Sequence, residues 1–203
     1  MTIYCVGRNY AAHAREMGAR PAAAGEEPVV FLKPGTARVD APGPIVVPAG
    51  IGELHHEVEV VLRIGPGGVP DALALGLDLT DRTRQAAAKQ AGLPWAAAKG
   101  FRGSAALGPW VALAAAPPLD RLRFTLRVDG ALRQQGDTRD MLHPVPALLA
   151  WLERWFGLAP GDLVFTGTPE GVGPLAPGAR LELELEGVPA ARAHFTLATP
   201  GLA

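Results

Sequence analysis

The stretch Leu54-His55-His56-Glu57-Val58-Glu59-Val60-Val61-Leu62 carries the first decision about this chain. Val and Leu alternate with charged positions, so residues 53–64 read as a β-strand. Successive side chains of a strand point to opposite faces, which puts His55, Glu57 and Glu59 on one face. Two carboxylates this close repel each other unless a cation lies between them. A set of oxygen donors suits a hard divalent ion such as Mg²⁺ or Mn²⁺ better than zinc or copper. A solvated edge strand shows the same alternation, so the rest of the chain must decide between the two.

Outward from this strand, punctuation dominates. Gly and Pro supply 25 and 20 of the 203 residues, too many for a helical protein and suited to short strands joined by turns. Strands are expected at 3–6, 29–33, 45–47, 163–166 and 181–185, with a further apolar run at 73–79. Residues 124–128 and 133–134 form a hairpin around Asp129-Gly130. Helices are expected at 10–17, at 81–90 (stopped by Gly92 and Pro94) and at 146–156, the last with Leu148, Leu149, Leu152 and Trp155 on one face. Residues 18–28 lack apolar periodicity and read as a flexible loop. No repeat or boundary divides the chain, and its length suits a single domain over 1–203.

Composition narrows the function classes. A net charge of −1 without a basic block argues against a nucleic-acid partner. No apolar run reaches membrane-spanning length, so no membrane association is expected. The single Cys5 cannot form an intrachain disulfide, fits a reducing compartment and sits in an apolar run as a core residue. With no basic segment followed by an apolar stretch at the N-terminus, a cytoplasmic location is expected. The 19 basic residues divide into 16 Arg and only 3 Lys, at Lys33, Lys89 and Lys99. A lysine kept in so Arg-rich a chain suggests a need for a compact ammonium; Lys89, in a polar helix, reads as an ordinary surface residue.

Three further groups carry possible chemistry. Asp78 ends an apolar run before Leu79-Thr80, as a helix N-cap or as a third metal ligand beside Glu57 and Glu59. His13 and Glu16 are spaced i, i+3 on the first helix, close enough for the carboxylate to orient the imidazole as a general base, or for an ordinary exposed pair. Thr166-Gly167-Thr168-Pro169-Glu170-Gly171-Val172-Gly173 follows a strand. It is either a tight turn or a loop whose N–H groups and threonine hydroxyl meet an oxyanion.

The order of these pieces resembles the fumarylacetoacetate hydrolase family, in particular its compact acylpyruvase-like members. The resemblance rests on Cys5-Val6-Gly7-Arg8-Asn9-Tyr10, His13 and Glu16, Phe31-Leu32-Lys33-Pro34, His55-His56-Glu57-Val58-Glu59 and Asp78-Leu79-Thr80. It continues through Gly92-Leu93-Pro94-Trp95, Ala98-Lys99-Gly100-Phe101, Leu132-Arg133-Gln134 and the Gly161-to-Gly173 segment. The resemblance implies a mainly β fold with short helices, a mixed β-sandwich roll, in a homodimer. It implies Mg²⁺ or Mn²⁺ on Glu57, Glu59 and Asp78, and catalytic roles for His13, Glu16 and Lys99, with residues 10–28 as a lid. Arg8, Arg82, Gln85, Gly167 and Thr168 would bind substrate.

The implied activity is hydrolysis of a C–C bond in an acylpyruvate or related β-diketo acid, giving pyruvate and a carboxylic acid. His13 would activate a water, and the metal and Lys99 would stabilise the pyruvate enolate. Alternatives within the resemblance are an oxaloacetate-type decarboxylase, or a tautomerase or isomerase of 2-oxo acids such as 5-carboxymethyl-2-hydroxymuconate. A non-catalytic protein that binds metal and a keto acid is a third. Two local features differ from the family pattern: Thr80-Asp81-Arg82-Thr83 stands where Thr-Ala-Arg-Asp is usual, and the segment between Ile64 and Asp78 is short.

Overall fold

The computed structural model describes residues 1–23 and 25–198. Ala24, inside the expected lid, and residues 199–203, at the end of the expected domain, lie outside the described residues. Two sheets face each other across the main core, as expected for a mainly β roll with short helices. The larger sheet runs Val29–Lys33, Ile3–Gly7, Leu163–Phe165, Val58–Ile64, Pro70–Asp78, Ala105–Leu107, Arg38–Asp40, and Val111–Ala112 also pairs with Pro70–Asp78. The second sheet runs Ala131–Asp137, Arg123–Val128, Arg180–Leu185, Ala193–Leu197, Gly43–Ile45. A small third sheet joins Gly173–Pro174, Leu54–His56 and Thr80–Asp81.

Period-two alternation explains which face meets which. Val58, Val60, Leu62 and Ile64 enter the core between the two sheets with Leu73, Leu75 and Leu77. There they meet Leu126, Leu181, Leu183, Leu185 and Phe195 of the second sheet. Val61 points the other way, into a smaller cluster with Ile3, Cys5, Leu107 and Phe165. Glu59 shares the parity of Val61, so the same alternation that builds the core turns Glu59 away from it.

The strand expected over 53–64 is two strands, Leu54–His56 and Val58–Ile64, because the chain passes from the small sheet to the large one at Glu57. His55 therefore does not share the glutamates' surroundings: it pairs with the exposed Glu53. The short 65–77 segment is a tight hairpin through Pro66–Gly68, with Gly67 and Gly68 both at positive φ. It sets a register of Glu59 opposite Gly76 and Val58 opposite Leu77. That register brings Asp78 beside Glu57, whose carbonyl accepts from the Asp78 N–H at 2.8 Å. Gly76 is required under Glu59, since a Cβ there would lie 2.7 Å from Val61 Cγ2 and 2.9 Å from the Ala106 carbonyl.

Helices are short. Ala11–Glu16 is shorter than the expected 10–17, Arg82–Ala91 ends at Gly92 in the left-handed region (φ 65°), and Val145–Phe156 buries Leu148 and Leu152. Trp155, expected on that buried face, is 55% exposed and stacks on Trp151 at the surface. No helix among the described residues is long and apolar enough to cross a membrane.

Candidate active site

Glu57, Glu59 and Asp78 meet in one buried cluster, with a ligand oxygen from each lying within 4.8 Å of the others. Asp78 is free for this role because Asp81 caps the following helix, accepting from the Arg84 N–H at 2.9 Å. Asp81, the departure from the usual alanine, is thus a capping residue, and neither Asp78 nor Thr80 caps. Thr80 instead donates its hydroxyl to Glu57 at 3.1 Å.

Three cations answer two of the three carboxylates. Lys99 Nζ sits 2.8 Å from both Glu57 Oε2 and Asp78 Oδ2. Arg82 pairs with Glu57 and donates to the side-chain Oε1 of Gln85 at 2.7 Å. Lys33 Nζ lies 2.8 Å from Asp78 Oδ1, at ion-pair distance but not aligned as a hydrogen bond, so that oxygen keeps an open direction. Burial works against the Glu57 carboxylate, but Lys99 and Arg82 outweigh it and hold its pKa far below the usual range. Burial also works against the Lys99 ammonium, yet Asp78 and Glu57 raise its pKa. Glu59 lacks such a partner: burial, then Asp78 and Glu57, raise its pKa well above the ordinary value. Its Oε2 accepts only the Gly167 N–H, at 2.6 Å.

A buried carboxylate without a cation, an open oxygen on Asp78 and an all-oxygen donor set fit a hard divalent ion. The aromatic wall beside this centre is Phe31 and Trp95, with ring centroids 6.2 Å apart. His13, Arg8, Lys89 and Thr168 line the rest of the cleft, whose volume is only about 40 Å³.

His13 is buried, and its Nδ1 lies 3.4 Å from Glu16 Oε2. Burial lowers its pKa more than Glu57 and Glu16 restore it, so the imidazole is held below its ordinary 6.5. Glu16 in turn accepts from the Gly171 N–H at 3.1 Å, docking the first helix onto the Gly-Thr-Pro turn. Gly167 and Thr168 are less available than the sequence suggests. The Gly167 N–H is committed to Glu59, and the Thr168 hydroxyl donates to the Val58 carbonyl at 2.8 Å while accepting from Gln134 at 2.9 Å.

Gln134, Lys33 and Lys89 are among the residues of the site that the sequence does not assign to it. Gln134 accepts from Val58 N–H (2.9 Å) and pairs with His56 Nδ1 (3.0 Å), while its amide donates to Thr168 and Pro169. It ties the glutamate segment to the Gly-Thr-Pro turn. Lys33 is fully buried behind Asp78, and Lys89 lines the cleft with its Nζ 5.3 Å from the Trp95 ring. Lys89 and Lys99 line the cleft and Lys33 lies behind it, so the scarcity of lysine is a signal that applies to all three.

This arrangement of sheets and acidic centre agrees with the family relationship: the fumarylacetoacetate (FAA) hydrolase C-terminal model matches residues 2–196, and the chain belongs to that family. Among curated relatives, oxaloacetate tautomerase YcgM of Escherichia coli (strain K12) is 42% identical over 197 residues, covering 91% of this chain and 88% of that protein. The mitochondrial oxaloacetate tautomerase FAHD1 of Arabidopsis thaliana is 41% identical over 196 residues, covering 92% and 86%. The crystal structure of fumarylpyruvate hydrolase from Pseudomonas aeruginosa in complex with Mn²⁺ and pyruvate superposes with a TM-score of 0.90 at 37% identity, covering 98% of this chain and 90% of that one.

Proposed function

We propose that this protein is a divalent-metal-dependent tautomerase of oxaloacetate-type 2-oxo acids, using Mg²⁺ or Mn²⁺ on Glu57, Glu59 and Asp78. The observation that carries the reading is a buried His13, its Nδ1 turned to Glu16, lining the same narrow cleft as the carboxylate centre. Similarity to two oxaloacetate tautomerases supports it.

Tautomerisation moves one proton and needs the negative charge on the 2-oxo oxygen to be stabilised. A divalent ion at this centre would supply Lewis acidity for that oxygen. Everything else falls to side chains. Lys99 stays protonated and neutralises Glu57 and Asp78. With Nδ1 turned to Glu16, the Nε2 lone pair of His13 is left to take a proton from C3. As that C–H bond breaks, its electron pair forms the C2–C3 double bond and the 2-oxo oxygen becomes an enolate oxygen. Transfer of the proton now on His13 Nε2 to that oxygen gives the enol and restores the neutral imidazole, and the reverse sequence gives the ketone. Phe31 and Trp95 wall the cleft and the docked Ala11–Glu16 helix covers it, which limits water.

Hydrolysis of an acylpyruvate is the second reading, favoured by the His13–Glu16 contact and by similarity to the fumarylpyruvate hydrolase. It demands an attacking water beside the substrate, a requirement that tautomerisation does not share. The test compares ketonisation of enol-oxaloacetate with cleavage of fumarylpyruvate by the same Mg²⁺-loaded protein. The tautomerase reading expects ketonisation to have the higher kcat/KM; faster fumarylpyruvate cleavage would replace it with the hydrolase reading.

A further inference from the structure

The cations of the cleft fall into two groups. Arg82 and Lys99 are taken up by Glu57 and Asp78, and Lys33 by Asp78. Arg8 and Lys89 line the same cleft without a carboxylate partner among the described residues. The aromatic wall spans the two groups: Lys99 Nζ is 4.9 Å from the Phe31 ring at the inner end, and Lys89 Nζ is 5.3 Å from the Trp95 ring at the outer end. Cation–π contact fixes the ammonium without neutralising it. Arg8 is one of two non-glycine residues with positive φ (59°) among the described residues. The following Asn9 holds that backbone by donating to Thr166 O (2.8 Å) and accepting from His143 N–H (2.7 Å). An uncommon conformation secured by buried hydrogen bonds at a cleft is a mark of functional placement.

We propose that Lys89, seated on Trp95 at the mouth of the cleft, binds the distal carboxylate of a diacid substrate, with Arg8 as its partner. This deepens the tautomerase reading and rests on it for the chemistry at the inner end. Charge balance agrees with a diacid. The three carboxylates and three cations of the centre cancel, so a divalent ion with Arg8 and Lys89 leaves the cleft strongly positive, which favours a dianion over a monoanion. Arg8 and Lys89 then place attraction at the end remote from the reacting carbons. A ligand carboxylate takes the charge-assisted hydrogen bonds that no protein carboxylate claims.

The experiment measures kcat/KM of Mg²⁺-loaded protein for oxaloacetate and for its 4-ethyl ester, which lacks the distal charge. Lys89→Gln should lower the acid-to-ester ratio about tenfold, the size of one lost charge-assisted contact, and Lys89→Arg should restore most of it. Calorimetry supplies a readout independent of turnover: affinity for 3,3-difluoro-oxaloacetate, which has no C3 proton to move, should fall by a similar factor in Lys89→Gln. An unchanged ratio and unchanged affinity would overturn the proposal and leave Lys89 a solvated surface cation. Loss of affinity in Lys89→Gln, with no oxaloacetate turnover by any form, would uphold the subsite and overturn the tautomerase reading instead.

Discussion

Replacing Lys33 by methionine tests how the acidic centre is held. The ammonium is 2.8 Å from Asp78 Oδ1 and donates to Ser104 O at 2.9 Å, Leu79 O at 3.3 Å and the Lys99 carbonyl. Its side chain is 0% exposed and Asp78 only 2%, so no water replaces what is lost. Methionine fills similar space but leaves a buried carboxylate and three carbonyls without that donor. Removing one partner of a buried pair typically costs about 3–5 kcal/mol. For a domain of this size each kcal/mol lowers Tm by roughly 2–4 °C, so a fall of about 6–20 °C is expected in metal-free protein. Saturating Mn²⁺ should narrow the gap to wild type, because the variant's centre is one charge more negative and binds the ion more tightly. Chemical and thermal unfolding, each with and without Mn²⁺, read both effects. A loss below about 1 kcal/mol, or a gap that Mn²⁺ does not narrow, would refute the reasoning that Lys33 is the counter-charge of Asp78.

Two further outcomes follow from the titrating groups. The Glu59 pKa is raised in the folded state, so the folded protein binds the extra proton and the stability of the metal-free form should increase as pH falls through that pKa. Glu59→Gln should therefore stabilise metal-free protein at pH 7 while abolishing Mn²⁺ binding, read by urea unfolding and calorimetry; a destabilised variant that still binds Mn²⁺ would contradict this. His13 must be neutral to accept a proton, and its pKa lies below 6.5. The acid limb of kcat/KM should accordingly fall below pH 6.5, and His13→Ala should remove that limb along with about 10²–10⁴ of the rate; a limb that survives the substitution would assign it elsewhere.

Much of this centre was legible because it obeys local rules. Period-two alternation turns Glu59 away from the main apolar core, and a short hairpin brings Asp78 beside Glu57. Composition pointed to many strands, and Gly92 marked the end of its helix. What escaped depends on long-range contact. Lys33 meets Asp78 across a separation of 45, and Gln134 bonds to Val58 across a separation of 76. Neither burial is written in the residues nearby. Alternation alone groups His55 with the glutamates, because it carries no sign that the chain changes sheets at Glu57. Lys89 looked like any polar helix residue until the turn at Gly92 folded Trp95 back beneath it. Gly167 and Thr168 have the composition of a ligand loop, yet their polar groups are spent on Glu59, Val58 and Gln134.

The most direct test of a metal-held enolising centre is deuterium exchange at C3 of oxaloacetate, followed by proton NMR in D₂O with Mg²⁺-loaded protein. The expected result is protein-catalysed loss of the C3 proton signal ahead of any pyruvate formation, abolished both by a chelator and by Glu59→Gln. Exchange no faster than with Mg²⁺ alone, or exchange that persists after chelation, would contradict the assignment of Glu57, Glu59 and Asp78 as the residues that would hold the ion the reaction needs.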